Sequence, residues 1–189
     1  MPRGLELFPK TIYCIDAIDL GISNVLFLSS ENADITFTVT SSSLINLMPH
    51  WKRDVYRRDV FPAIWEKLES MINNEELISP LEVYEEIKVG QDELYDWCKN
   101  NKKMFRDIDD CQRQKFQDVE KQYDKNYWEN EINKPRWADP WVIALSVCEE
   151  AIIVADEKNT RNRIPFISYK FNVKCLELLD IFKEIGMKY

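Results

Sequence analysis

Residues 137–157 read Trp137-Ala138-Asp139-Pro140-Trp141-Val142-Ile143-Ala144-Leu145-Ser146-Val147-Cys148-Glu149-Glu150-Ala151-Ile152-Ile153-Val154-Ala155-Asp156-Glu157. Asp139 suits a helix N-cap, and Pro140 suits the first helical turn, where its missing N–H leaves no bond unmade. The helix that follows is strongly apolar, from Trp141 through Ile143, Leu145 and Val147. Ile152-Ile153-Val154 is then a continuous apolar run, as in a strand buried on both faces of a parallel sheet. A helix returning into a buried strand is a unit of an α/β fold. Ligands of such sheets sit outside the carboxyl ends of the strands, where Asp139, Asp156 and Glu157 fall.

Working outward, Asp59 to about Asn74 predicts a helix, with Phe61, Ile64, Trp65, Leu68, Met71 and Ile72 on one face. A short strand at Leu77-Ile78 leads into Ser79-Pro80-Leu81-Glu82. There Ser79 suits a cap, Pro80 the first helical position and Glu82 the closing acid of a capping box. The helix it opens carries Val83 to Ile87 and stops near Gly90; a second runs from about Asp92 to Lys102. Residues 107–130 are polar, with apolar positions only at Ile108, Phe116, Val119, Tyr123 and Tyr127, and predict one or two exposed helices. A short helix over 166–171, a strand at Val173-Lys174-Cys175 and a helix from Leu178 to about Ile185 complete the end. Upstream, Ile35-Thr36-Phe37-Thr38-Val39-Thr40 alternates with the period of a strand. Residues 1–34 are the least legible, with short strand candidates at Ile12–Ile15 and Val25–Leu28 about a turn-prone Gly21–Asn24. Strands alternating with helices predict an α/β fold with a central, mainly parallel sheet.

The chain has 189 residues, enough for one domain with a real core. Its 33 Asp and Glu outnumber 25 Lys and Arg, for a net charge of −8. A protein that only coats nucleic acid usually has the opposite sign, so any phosphate chemistry must rest on local basic patches or on metal ions held by the surplus acids. Cys14, Cys98, Cys111, Cys148 and Cys175 are scattered and never form a CxxC pair, which predicts free thiols in a reducing cytosol. A single histidine, His50, makes a Cys/His zinc site improbable. No apolar run reaches the ~18 residues of a membrane span, and the start has no secretory pattern. The sequence therefore predicts a soluble cytoplasmic protein without membrane partners. Dinucleotide, P-loop and nucleophile-elbow motifs are all absent, and four glycines leave little for a phosphate-cradling loop.

What remains for chemistry is carboxylates: Asp139 at a helix start, Asp156 and Glu157 after the buried strand, Glu85 and Glu86 on the helix after Ser79. Acids converging on one cleft form an oxygen-only site suited to Mg2+ or Mn2+, able to activate water against a phosphodiester. The bland alternative is an N-cap at Asp139 and solvated acids at the end of a strand.

Five segments in this order resemble a bacterial PIN-like domain family of unknown function. They are Asp59-Val60-Phe61-Pro62-Ala63-Ile64-Trp65 with the upstream Ser42-Ser43-Leu44-Ile45; Ile78-Ser79-Pro80 running into Val83-Tyr84-Glu85-Glu86-Ile87; Asp92 to Trp97; Ala138-Asp139-Pro140-Trp141; and Ile164-Pro165. The resemblance covers 35–189 and leaves 1–34 as an N-terminal extension without counterpart. It places the chain in the PIN superfamily of metal-dependent ribonucleases, which includes the VapC-type toxins, and implies a three-layer α/β/α domain. Four acidic positions surround one or two Mg2+ or Mn2+ ions in that superfamily. Carried over, the second falls on Glu86, the third on Asp139 and the fourth on Glu157, with Asp156 beside it. The first departs: Thr40 stands where the family has an acid, and a neutral hydroxyl lacks the charge a hard cation needs. Ser42 matches a polar family position. Asp16, in Ile15-Asp16-Ala17, imitates the strand-acid pattern, but the downstream match is continuous with Thr40.

The resemblance implies RNA as substrate, an antitoxin protein as partner and a homodimer. Basic residues gather in three groups: Lys52, Arg53, Arg57 and Arg58, interleaved with Trp51 and Tyr56; Lys99, Lys102, Lys103 and Arg106; and Lys158, Arg161 and Arg163. The last group follows the acidic strand end and is the candidate for holding RNA phosphates; solvated faces balancing nearby acids are the alternative. Three readings stand: a Mg2+- or Mn2+-dependent ribonuclease, a degenerate module that binds RNA or protein without cleaving, and an unrelated α/β domain.

Overall fold

The computed structural model describes residues 11–15, 35–39, 58–59, 61–91, 93–134, 137–155 and 157–184. Four strands form one all-parallel sheet: β1 (Thr11–Ile15), β2 (Ile35–Val39), β5 (Ala151–Val154) and β6 (Cys175–Leu176), in the order β1-β2-β5-β6. β1 registers Tyr13 against Phe37 of β2 and also against Ile152 of β5, so the strand candidate within 1–34 joins the same sheet. β2 sets Val39 against Val154, and β5 sets Val154 against Leu176, which brings these strand ends level. A smaller sheet pairs β3 (Leu77–Pro80) in parallel with β4 (Phe105–Arg106), a strand too short to show a pattern in the sequence.

Eight helices complete the described residues: α1 (Pro62–Asn73), α2 (Leu81–Ile87), α3 (Glu93–Asn100), α4 (Asp110–Glu120), α5 (Lys125–Ile132), α6 (Asp139–Cys148), α7 (Ile164–Tyr169) and α8 (Leu178–Glu184). The mixed α/β class follows the alternation of the sequence. α1 buries Ile64, Trp65, Leu68, Met71 and Ile72, the stripe its spacing predicts. Trp65 meets Trp97 of α3 edge-on at 5.2 Å, and the Trp97 indole donates to the Glu69 carboxylate at 3.0 Å, so a large ring is buried without stranding its N–H. α6 and β5 are buried along nearly their whole length. Of the expected exposed segment, α4 buries Gln112 and Val119, and its N-cap Asp109 accepts from the Gln112 N–H at 2.8 Å.

Three expectations are corrected. Ser79 does not cap α2: β3 runs on through Pro80 to pair with Arg106, so Pro80 occupies the cap position and no side chain caps the helix. Asp139 is likewise not the cap of α6. It is the first helical residue, Ala138 precedes it as N-cap, and no side-chain cap bond forms. The cysteines are not all thiols, since Cys111 of α4 and Cys148 of α6 form a disulfide that joins two closely packed helices. Cys98, buried, and Cys175, half-buried, keep their thiols. The expected strand at Val25–Leu28 and the apolar stretch at Leu44–Met48 lie outside the described residues. Among the described residues no helix is long and apolar enough to cross a membrane.

Candidate functional site

α6 returns through Glu149-Glu150 into β5 and so runs antiparallel to it, with Glu150 in the left-handed region (φ 52°) to make the turn. The first turn of α6 therefore stands at the carboxyl end of the sheet, level with the residues that follow β5. Asp139 is set there with its carboxylate free of capping duty, and Glu157 follows the strand. Glu86 arrives from α2: its Oε1 accepts the Ala138 N–H at 2.7 Å, one residue before Asp139. A bond spanning 52 residues thus ties the second acidic segment to the third. Glu85, by contrast, turns outward and pairs with Lys88.

Glu157 and Glu86 both act electrostatically on Asp139. Asp139 is pushed up to about 7, first by loss of water around it, then by the charge of Glu157; Glu86 adds to the rise. A hydrogen bond from the Trp137 side chain and the charge of Arg163 work in the opposite sense. Part of the Asp139 surface stays open, yet the surrounding rings remove enough water to make its charge costly. Glu157 is braced: Oε1 accepts from Arg163 at 3.2 Å and Oε2 from the Ile164 N–H at 3.1 Å, at the start of α7. Arg163 is in turn held in its charged form chiefly by Glu157.

An aromatic wall stands beside the acids. Trp137 meets the rings of Tyr123, Trp128 and Tyr127 at 5.2, 5.1 and 6.1 Å, and Tyr123 stacks on Tyr127 with 6° between their planes. The Tyr123 hydroxyl is buried without a hydrogen-bond partner among the described residues. Burial, then the charge of Asp139, holds it well above the usual phenol range. Tyr123 and Tyr127 are visible in the sequence as aromatics four apart in an otherwise polar stretch. Their closeness to Asp139 is not, because it depends on how α4 and α5 pack against α6.

The loop carrying Glu157 is pinned by Asp124, the N-cap residue of α5. Its carboxylate accepts from Arg161 and from the Asn162 amide, while the Asn162 side-chain carbonyl accepts the Asp124 N–H at 2.9 Å. Asn162 lies in the left-handed region (φ 64°), which Asn tolerates better than most residues. Asn162→Ala is expected to cost about 2–3 kcal/mol in urea denaturation, by losing these bonds at an unfavourable φ, whereas Asn162→Gly loses less.

Of the expected RNA-phosphate residues, Arg161 and Arg163 are thus ion-paired within the protein, and Lys158 is exposed. In the second basic group, Lys102 lies over the Tyr84 ring, Lys103 bonds Asn73 and Arg106 pairs with Glu75. Arg58 of the first group pairs with Glu69. The remainder of that group, with His50, Trp51 and Tyr56, lies outside the described residues. So do Thr40, Ser42, Asp156 and Asp16.

Among the described residues no three acidic, histidine or cysteine side chains form a ready-made metal cluster. Carboxylate oxygens are the donor type a hard divalent cation takes, and the charges of Glu157 and Glu86 reach Asp139, with that of Arg163 opposing them.

No curated protein and no solved structure matches the chain. A family model described as a domain of unknown function (DUF4411) matches residues 37–189, from within β2 to the last residue. That span takes in α6, β5 and every acid of the candidate site, and the chain belongs to this family.

Proposed function

We propose that the chain is a metal-dependent ribonuclease of the PIN-like type, hydrolysing RNA phosphodiester bonds within a three-layer α/β/α domain. The observation that carries the reading is the reach of the Glu86 and Glu157 charges to Asp139 at the carboxyl end of a parallel sheet, with Asp139 pushed up to about 7. Glu86, Asp139 and Glu157 would hold Mg2+ or Mn2+, with Asp156 beside them in the sequence. A divalent cation there supplies the positive charge that phosphodiester hydrolysis needs, both for activating water and for the developing charge on phosphate. Asp139 would be one ligand, while Glu157 is oriented by Arg163 and the Ile164 N–H, and Glu86 fixes the start of α6. Lys158, Arg161 and Arg163 are the basic residues of the loop offered to RNA phosphates. The same reading includes a cytoplasmic toxin of a toxin–antitoxin pair, with an antitoxin and a second copy as partners.

A second reading is motivated by Thr40. The register Ile15–Val39 makes Asp16 and Thr40 the next residues after two paired strand ends, and the one continuous with the family pattern carries no charge. On this reading the domain binds RNA or protein without cleaving.

An RNA-cleavage assay with Mn2+ on wild type, Asp139→Asn and Thr40→Asp separates the two. Cleavage lost by at least about 100-fold in Asp139→Asn supports the enzyme. Cleavage gained only in Thr40→Asp identifies the degenerate site. Inertness of all three, with no metal uptake in calorimetry, overturns both.

A further inference from the structure

A shallow, open hollow lies along the first turns of α5, lined by Asp124, Lys125, Asn126, Tyr127 and Asn130. Its lining is one aromatic ring, two carboxamides and charged groups, unlike an apolar docking groove. We infer that this hollow is a subsite for an unpaired nucleobase of single-stranded RNA, with Tyr127 as the stacking platform. The inference rests on the ribonuclease reading for its substrate class and adds where a base is held.

Two observations place the hollow beside the acids. Tyr127 contacts the Trp137 ring at 6.1 Å, and the Trp137 side chain hydrogen-bonds Asp139, so one ring separates the platform from that carboxylate. Asp124, on the rim, is joined to Arg161 and Asn162 in the loop that carries Glu157. Tyr127 itself is half-buried and already stacked on Tyr123, with 6° between planes and 6.0 Å between centroids. A base on Tyr127 extends an existing stack, and a ring fixed by its neighbours loses little side-chain freedom when a ligand arrives. Every base has a π-face, so the platform alone reads no sequence. Asn126 and Asn130 each offer donor and acceptor groups, which suit the edge of a base. Lys125, exposed and only loosely paired with Glu129 at 3.8 Å, is available to a neighbouring phosphate.

The test is equilibrium binding of a fluorescently labelled single-stranded RNA, and of an abasic strand of equal length, to the full chain in EDTA. Wild type, Tyr127→Ala, Tyr127→Trp and Asn130→Ala are compared, with thermal melting as the check on folding. The expected result is preference of wild type for the base-bearing strand, lost with about 5- to 100-fold weaker binding in Tyr127→Ala and kept in Tyr127→Trp. Asn130→Ala is expected to alter the ranking of homopolymers with little change in melting. Equal binding of both strands by wild type, no binding at all, or unchanged preference in Tyr127→Ala overturns the subsite. If Tyr127→Ala melts early, loss of homopolymer ranking in Asn130→Ala supports the subsite and its retention overturns it. Tyr127-dependent binding without Mn2+-dependent cleavage overturns the ribonuclease reading alone; cleavage with Tyr127-independent binding overturns the subsite alone.

Discussion

Asp139→Asn is expected to stabilise the folded protein at pH 8 by about 4 kcal/mol while abolishing metal-dependent activity. Asp139 titrates at about 7 in the fold against an ordinary 3.8, so the folded state binds its proton more tightly than the unfolded chain does. A raised pKa contributes stability that is fully present below the unfolded value and is lost as pH rises through the folded value. The loss accumulates over about three pH units at about 1.4 kcal/mol each. Asn cannot ionise, keeps an acceptor for the Trp137 hydrogen bond and has nearly the same shape. Variant and wild type should therefore melt together near pH 4, separate between pH 4 and 7, and stay a constant distance apart above pH 7. Urea denaturation at several pH values measures this directly. A constant difference at every pH would show that the cost lies in packing and not in charge. Adding Mg2+ or Mn2+ at pH 8 should narrow the gap, because a bound cation stabilises only the chain that retains the carboxylate.

The second large effect concerns the Cys111–Cys148 bridge. The two cysteines lie 37 residues apart, and cross-linking a loop of that length restricts the unfolded chain by about 4 kcal/mol in the chain-entropy description. Cys111→Ser, or reduction of the wild type, should lower urea stability by about 2–4 kcal/mol. Cys111 is exposed at the first turn of α4, so serine there adds little packing cost of its own. Reduction and substitution should give the same value; a reduced wild type as stable as the oxidised one would remove the bridge from the account of stability. The helices also meet through Phe116 and Trp141, stacked at 4.1 Å, so α4 and α6 are expected to remain paired without it.

Both effects concern α6, and they were not equally legible. The helix, the buried strand after it and the acids at their junction follow from local pattern, because apolar periodicity reflects burial directly. So do the stripe of α1 and the α/β class. The caps expected at Ser79 and Asp139 do not form. A cap is decided by where the preceding backbone leaves off, and β3 extends to Pro80 only because β4 is there to pair with it. Left-handed Glu75 and Glu150 close α1 and α6 without the glycine that often marks a helix end.

By itself the sequence determined which segments are buried, that strands alternate with helices, and which few carboxylates lie at strand or helix ends, all properties of neighbours along the chain. Only the tertiary structure decided that Glu86 bonds the backbone beside Asp139, that Asp124 pins the loop of Glu157, that Cys111 meets Cys148, and that Tyr123 and Tyr127 stand against the acids. These partners are 52, 38, 37 and a dozen or more residues apart. Charge and ring contacts act through space, and spacing along the chain does not encode which helix face will meet which. The shift of Asp139 to about 7 is therefore a property of packing, although the residue that carries it was plain in the sequence.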